Sequence, residues 1–225
     1  MSSSSINSLV DIKNIFYINL EHRKDRKEHI ETQLKSVGLT HFERFNAIKL
    51  PNGMLGCSMS HLHCLKLAKK RNYDHVLICE DDMTFLNPDL FIKQINTFFQ
   101  NKPVNKWDVL LLCGNNVPPY QPIDETCVRV SHCQTTTCYL VNGHYIDTLI
   151  ENFKDGILCL MREPDNHRYY ALDMYWLRLQ KKDVWVLIVP LTVVQKEDYS
   201  DIQKRTTNYT GMMLDLNKEY LCKRH

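Results

Sequence analysis

Three consecutive carboxylates, Glu80-Asp81-Asp82, follow directly on the apolar run His75-Val76-Leu77-Ile78-Cys79. Adjacent negative charges at the end of a buried strand repel one another and disfavour a low dielectric. A divalent cation is a usual means of offsetting that cost. If the strand continues through the triplet, residues 80 and 82 share one side and can reach the same ion. Ligands of open α/β sheets bind at the carboxyl ends of strands, and an all-oxygen donor set favours Mg2+ or Mn2+ over zinc. A solvated acidic turn is the alternative reading of the same three residues.

Two further segments carry polar groups at element ends. In Asn19-Leu20-Glu21-His22-Arg23-Lys24-Asp25-Arg26, two arginines three apart stand at a helix start, where they can reach a diphosphate or a base edge. A polar helix start without a ligand explains the pattern equally. In Gly56-Cys57-Ser58-Met59-Ser60-His61, a glycine and hydroxyls at a helix start would offer backbone N–H groups to an anion. Cys57, His61 and Cys64 also fall at i, i+4 and i+7 on one helical face, which is a zinc-like spacing without a fourth ligand.

The elements that must position these groups read as an alternating series. Ile15 to Leu20 is a short apolar strand run. Ile30, Leu34 and Val37 then mark an amphipathic helix stopped by Gly38. A second helix is expected from about Ser58, acting as its cap, with Met59, Leu62, Leu65 and Ala68 on its apolar side. The strand His75–Cys79 and a helix opened by Asn87-Pro88-Asp89 follow. Trp107–Cys113, Thr126–Ser131, Thr135–Val141 and Val184–Val189 read as strands. Helices are expected after Asn142 and around residues 173–179. Strands alternating with helices predict an α/β chain with a three-layer sheet. Residues 1–13 read as a flexible lead-in, 14–203 as one domain and 204–225 as a polar C-terminal tail.

Composition excludes several classes. A 225-residue chain that is 44% hydrophobic can bury one substantial core, and a formal charge of +2 offers no field for nucleic acid. The nine cysteines are odd in number and contain no C-x-x-C pair, so they read as buried thiols in a reducing, cytoplasmic setting. Residues 1–11 have neither a basic start nor a continuous apolar stretch, and so do not read as a secretory signal. The longest apolar run, Val184 to Val189, falls far short of a membrane span.

Taken in order, these segments resemble glycosyltransferase family 25, which includes lipooligosaccharide galactosyltransferases and collagen hydroxylysine galactosyltransferases. The resemblance is carried by Phe16-Tyr17-Ile18-Asn19-Leu20 with Arg23, Asp25 and Arg26. It continues through Gly56-Cys57, Ser60-His61 and Glu80-Asp81-Asp82, and then Thr136 to Val141. Asp173, Pro190, Gln195 and Tyr199-Ser200-Asp201-Ile202 complete it. The resemblance implies the glycosyltransferase A-type fold, a Rossmann-like α/β/α sandwich with a mixed central sheet. It also implies a UDP-galactose or UDP-glucose donor and Mn2+ or Mg2+. Carried over by position, Glu80 and Asp82 would hold the metal. Asn19, Arg23, Arg26, Gly56, Ser60, His61 and Asp81 would line the nucleotide site, which Gln195 and Ser200 would close. The acceptor would be a glycan or hydroxylysine in a collagen-like protein, and transfer would invert the anomeric centre.

An acceptor hydroxyl must lose a proton, and Asp173 is the candidate base. It is a carboxylate among Leu172, Met174, Tyr175 and Trp176, where burial would raise its pKa. A capping role or a salt bridge to Arg178 is the competing reading. Tyr169, Tyr170, Tyr175 and Trp176 could stack on a sugar or belong to the core. Two other functions fit parts of the pattern. A catalytically silent relative would bind nucleotide-sugar or glycan without turnover. A phosphohydrolase or nucleotidyltransferase would need further strand-end carboxylates that the sequence lacks.

Overall fold

The structure is a computed structural model that describes residues 6–104 and 106–218. Its first half runs β1 (Ile15–Asn19), α1 (Lys24–Ser36), β2 (Glu43–Asn46), α2 (Gly53–Lys70), β3 (His75–Glu80), β4 (Met83–Phe85), α3 (Pro88–Asn101) and β5 (Val109–Leu111). Short strands β6 (Asn115–Asn116), β7 (Tyr120–Pro122), β8 (Cys127–Val130) and β9 (Cys133–Gln134) lead to β10 (Cys138–Asn142) and α4 (Ile146–Arg162). The single-turn helices α5 (His167–Tyr170), α6 (Leu172–Tyr175) and α7 (Leu177–Gln180) precede β11 (Trp185–Ile188). The chain then forms β12 (Val193–Gln195), β13 (Asp198–Ser200), β14 (Arg205–Thr207) and α8 (Thr210–Leu214).

Eight strands form one mixed sheet in the order β2-β1-β3-β10-β5-β11-β8-β7. The pairs β1–β2, β1–β3 and β5–β11 are parallel, while β10 runs antiparallel between β3 and β5. Alternation along the strands divides the core by face. Ile15 and Tyr17 join Leu77 and Cys79 in a cluster that takes Ile30 and Leu34 from α1 and Phe91, Ile95 and Phe98 from α3. Phe16 and Ile18 join Val76 and Ile78 in the opposite cluster, with Leu62 and Leu65 of α2 and Leu149 and Phe153 of α4. Helices therefore cover both faces, which is the three-layer α/β arrangement expected from the sequence.

Local signals explain several element ends. Gly38 has φ of +82°, the left-handed region that a side chain resists. Its N–H bonds Lys35 O and the Leu39 N–H bonds Leu34 O, which ends α1 as expected. Asn87 Oδ1 accepts from the Leu90 N–H at 3.0 Å, with Pro88 in the first turn of α3.

The start of α2 differs from expectation. Asn52, not Ser58, caps it, through Oδ1 accepting from the Leu55 N–H at 3.1 Å. Gly56, Ser58 and Ser60 therefore lie inside the helix, and the Gly56 N–H is spent on Asn52 O. The expected anion cradle at Gly56 does not form. Glycine is needed there because a Cβ would stand 2.4 Å from Ile48 O, a backbone atom that cannot swing aside. Gly56→Ala is expected to lower stability by about 1–3 kcal/mol, the usual cost of overpacking, as read by urea unfolding.

Of the expected lead-in, residues 1–5 lie outside the described residues, whereas Leu9 and Ile12 are buried against the α1–α3 cluster. The expected tail contains β14 and α8, with Met213 buried, and residues 219–225 lie outside the described residues. The eight described cysteines are free, and six of them are buried, in line with the thiol reading. Among the described residues no helix is long and apolar enough to cross a membrane.

Candidate active site

Glu80 is the last residue of β3, so Asp81 and Asp82 form a turn rather than continuing the strand. This corrects the expectation that alternation alone aligns residues 80 and 82. The turn instead gives each carboxylate a partner of its own, while Asp81 and Asp82 share Arg26. Glu80 Oε1 accepts from Thr136 Oγ1 at 2.5 Å and lies 3.3 Å from His61 Nε2. Asp81 Oδ2 accepts from Asn19 Nδ2 at 2.7 Å. Asp82 Oδ2 accepts from Gln195 Nε2 at 3.2 Å, carried in by β12 beside β4. Asp82 Oδ1 is buried and has no hydrogen-bond partner.

The arginines of the α1 start meet carboxylates. Arg26 Nη1 donates to Asp81 Oδ1 at 3.0 Å and Asp82 Oδ2 at 3.1 Å. Its Nε donates to Asp198 Oδ2 and its Nη2 to the Tyr199 carbonyl. Arg23 is held by Asp25, Asp198 and Asp201 at 2.8–2.9 Å. Arg23 is thus neutralised by the β13 segment, while Arg26 ties that segment to the acidic turn. Charge pattern was the signal for this pairing, since the acids around Tyr199 complement the basic run after Asn19.

Burial sets the electrostatics. It pushes the Asp81 carboxyl up, against the pull of Arg26. It raises Asp82 to about 8, with the Glu80 charge adding to the effect. Burial also pushes Glu80 up, but the His61 ring and the Thr136 hydroxyl outweigh it and leave Glu80 below its ordinary value.

Two adjoining cavities meet at this point. One, of about 310 Å³, is lined by Arg26, Ile48, Gly53, His61, Asp81 and Asp82. The other, of about 360 Å³, is lined by Thr135, Thr136, His167, Arg168, Asp173 and Tyr209. Cys57, Glu80, Gln195, Ser200 and Ile202 line both. Among the expected site residues, Ser60 is buried with its hydroxyl donating to Gly56 O and accepting from the Ile48 N–H, although it borders the first cavity. Asn19 is buried and also accepts from Arg44 Nε.

Asp173 is brought into the second cavity by α6, half-buried, with Oδ2 accepting from the Thr135 N–H at 3.1 Å. Burial raises its pKa. The alternative partner Arg178 stacks instead on the Tyr175 ring, 3.4 Å from its centroid. Tyr175 and Trp176 are buried, and Trp176 Nε1 donates to Cys133 O, so both are core. Thr136 is the site residue that sequence reading overlooked. A run of three threonines just before an apolar strand was its signal.

A protein of STIV has a similar structure at 11% identity, covering 86% of this chain and 92% of that chain, with a TM-score of 0.46. A glycosyltransferase involved in glycosylation of the PBCV-1 major capsid matches at 12% identity, covering 78% and 92%, with a TM-score of 0.41. A Drosophila beta-1,4-galactosyltransferase 7 mutant, in complex with manganese, UDP-Gal and xylobiose, matches at 9% identity, covering 94% and 79%, with a TM-score of 0.38. No curated protein matches the chain in sequence. The mixed sheet covered on both faces agrees with the α/β/α sandwich with a mixed central sheet that the family resemblance implies. Residues 49–159 match the family model described as glycosyltransferase family 25 (LPS biosynthesis protein). That stretch, which takes in α2, the acidic turn and most of α4, is where the chain matches glycosyltransferase family 25.

Proposed function

We propose that this glycosyltransferase is metal-dependent and moves galactose or glucose from a UDP-sugar to an acceptor hydroxyl, inverting the anomeric centre. The observation that carries the reading is the pair of cavities sharing Glu80 and Gln195, one bordered by the acidic turn and the other by Asp173. Donor and acceptor must meet at one carbon, and two pockets with a common wall suit that need. The acceptor would be a glycan or a hydroxylysine-bearing protein. Free, buried cysteines support a reducing compartment such as the cytoplasm.

The residues fit a divalent cation. Asp82 Oδ1 is a buried carboxylate oxygen without a partner, the Glu80 charge acts on the same carboxyl, and all-oxygen donors suit Mn2+ or Mg2+. Glu80 and Asp82 would hold the ion, which supplies positive charge opposite a developing diphosphate. Gln195 orients Asp82 through its 3.2 Å hydrogen bond, and Arg26 restrains the same carboxylate from the other side. Asn19 fixes Asp81 at the nucleotide end. Asp173 would take the acceptor hydroxyl's proton as the new bond forms, with no covalent enzyme intermediate.

The direct test is UDP release from UDP-galactose and UDP-glucose with Mn2+, with and without acceptor sugars. Turnover should require the cation, stop in EDTA and return on adding excess Mn2+. Full turnover in EDTA would sink the metal assignment. Binding of UDP without any release, across donors and acceptors, would favour the silent relative.

A further inference from the structure

We propose that Cys57, His61 and Glu80 form a three-ligand site for a zinc-class divalent ion, distinct in chemistry from the all-oxygen site proposed at Asp82. The three donor atoms lie within 4.8 Å of one another. His61 Nε2 and Glu80 Oε1 are 3.3 Å apart. That separation matches the edge of a tetrahedron, roughly 3.3 Å for bonds of about 2.0–2.1 Å to nitrogen and oxygen. Cys57 and His61 are one helical turn apart on α2, so one face delivers both.

His61 supplies the second, independent observation. Its ring is fully buried, yet Nε2 makes no hydrogen bond. Nδ1 lies 2.9 Å from Tyr139 Oη, and Tyr139 is itself buried against Trp176. A proton on Nε2 is what lets His61 pull on Glu80 in the bare protein; with the proton on Nδ1 instead, the tyrosine oxygen accepts it and Nε2 turns a lone pair on Glu80, the form that an ion between them selects. A lone pair facing a carboxylate is repulsive unless a cation lies between them. Metal-bound imidazoles are held in this way, with the second nitrogen bonded to a fixed partner. Thr136 likewise fixes the third ligand through Glu80 Oε1.

The sequence spacing suggests Cys57, His61 and Cys64. Cys64 is instead fully buried in the apolar cluster beneath α2, and Glu80 takes its place. Cys57 and Glu80 border both cavities, which leaves a fourth position for water. Thiolate and imidazole select zinc, cobalt or cadmium over Mg2+ and Mn2+. Burial, followed by the charge of Glu80, holds the Cys57 thiol protonated in the bare protein. Binding therefore exchanges the thiol proton for the ion, and the proton is released to solvent. The site shares Glu80 with the proposed transferase centre, but its occupancy does not depend on the transfer reaction.

The test uses the reduced, chelator-stripped protein titrated with Co2+, followed by Zn2+. One equivalent of Co2+ should give thiolate-to-cobalt charge-transfer absorption in the near ultraviolet, which Zn2+ abolishes and Mn2+ leaves unchanged. Cys57→Ser should lose the band and weaken Zn2+ binding at least about 100-fold. Cys159→Ser should retain both, which separates the site from adventitious thiol binding. Glu80→Gln should keep the thiolate band but weaken Zn2+, and it serves as the readout if Cys57→Ser fails to fold. Absence of the band in the wild type, or its survival in a folded Cys57→Ser protein, overturns the proposal. Loss of UDP release alone would not, so the two readings fail separately.

Discussion

Asp82→Asn is expected to reduce UDP release by on the order of 10³-fold while raising the melting temperature of the metal-free protein above neutral pH. The activity loss follows from weakening the hold on the cation that would face the leaving group as it becomes negative. The stability gain follows from the same burial. The Asp82 carboxyl is raised to about 8 in the folded chain, first by desolvation and then by Glu80, against an ordinary value of about 3.9. The native state therefore holds more protons than the unfolded state between those values, and stability falls as pH climbs through that window. A neutral amide does not share that loss, so the variant should outlast the wild type near pH 8 and converge with it near pH 4. Adding Mn2+ should raise the melting temperature of the wild type, because an ion that binds only the folded state stabilises it, and should do so much less for the variant. Equal melting curves at pH 8, or unchanged UDP release, would remove Asp82 from the centre of the argument. A gain in stability paired with a loss of activity is what a residue held at a cost for function should show.

What could be read from the chain depended on whether a residue's job is local. Gly38 ends α1 because the left-handed backbone it supplies is needed two residues beyond the helix, and the apolar spacing before it announces that need. Asn87-Pro88 opens α3 for similarly local reasons. The strand His75–Glu80 was legible because four apolar residues, Val76 to Cys79, stop abruptly at acids. Gly56 was not legible in the same way. Its absent side chain makes room for the carbonyl of Ile48, eight residues earlier and outside the helix, so it looked like a helix start while lying inside one. The partners of the arginines were not legible for a related reason. Whether Arg23 and Arg26 are free for a phosphate depends on Asp198 and Asp201, more than 170 residues away, and no helix-start pattern contains that information. Tyr175 and Trp176 belong to the core because Tyr175 packs against Gly156 of α4 and Trp176 against Tyr139 and Trp185 of the sheet, whereas the single-residue pattern around them suits a sugar platform just as well. The acidic turn itself sits between these cases. Its existence was plain, but the division of Glu80, Asp81 and Asp82 among His61, Asn19 and Gln195 is a product of tertiary packing.

That division separates the two chemical halves of the proposed reaction, and Asp173 is where the second half can be isolated. Asp173→Asn should lower kcat by about 10²–10⁴-fold, the range for a positioned general base, while leaving UDP affinity unchanged by calorimetry. The amide is the right probe because Asp173 also has a structural duty. Its Oδ2 accepts from the N–H of Thr135, a residue held at a φ of +75°. Asparagine keeps an oxygen for that bond and removes only the ability to carry a proton away, whereas alanine would release the strained Thr135 backbone as well. The pH profile gives the decisive readout. Burial places the Asp173 pKa above its ordinary value, so wild-type kcat should decline as pH falls through that raised value and the base becomes protonated. The residual activity of the asparagine variant should lack that acidic limb. A variant that transfers sugar at the wild-type rate, or that keeps the limb, would move the base to another group. A variant that loses UDP binding as well would mean that the Thr135 turn, and not proton transfer, is what Asp173 supplies.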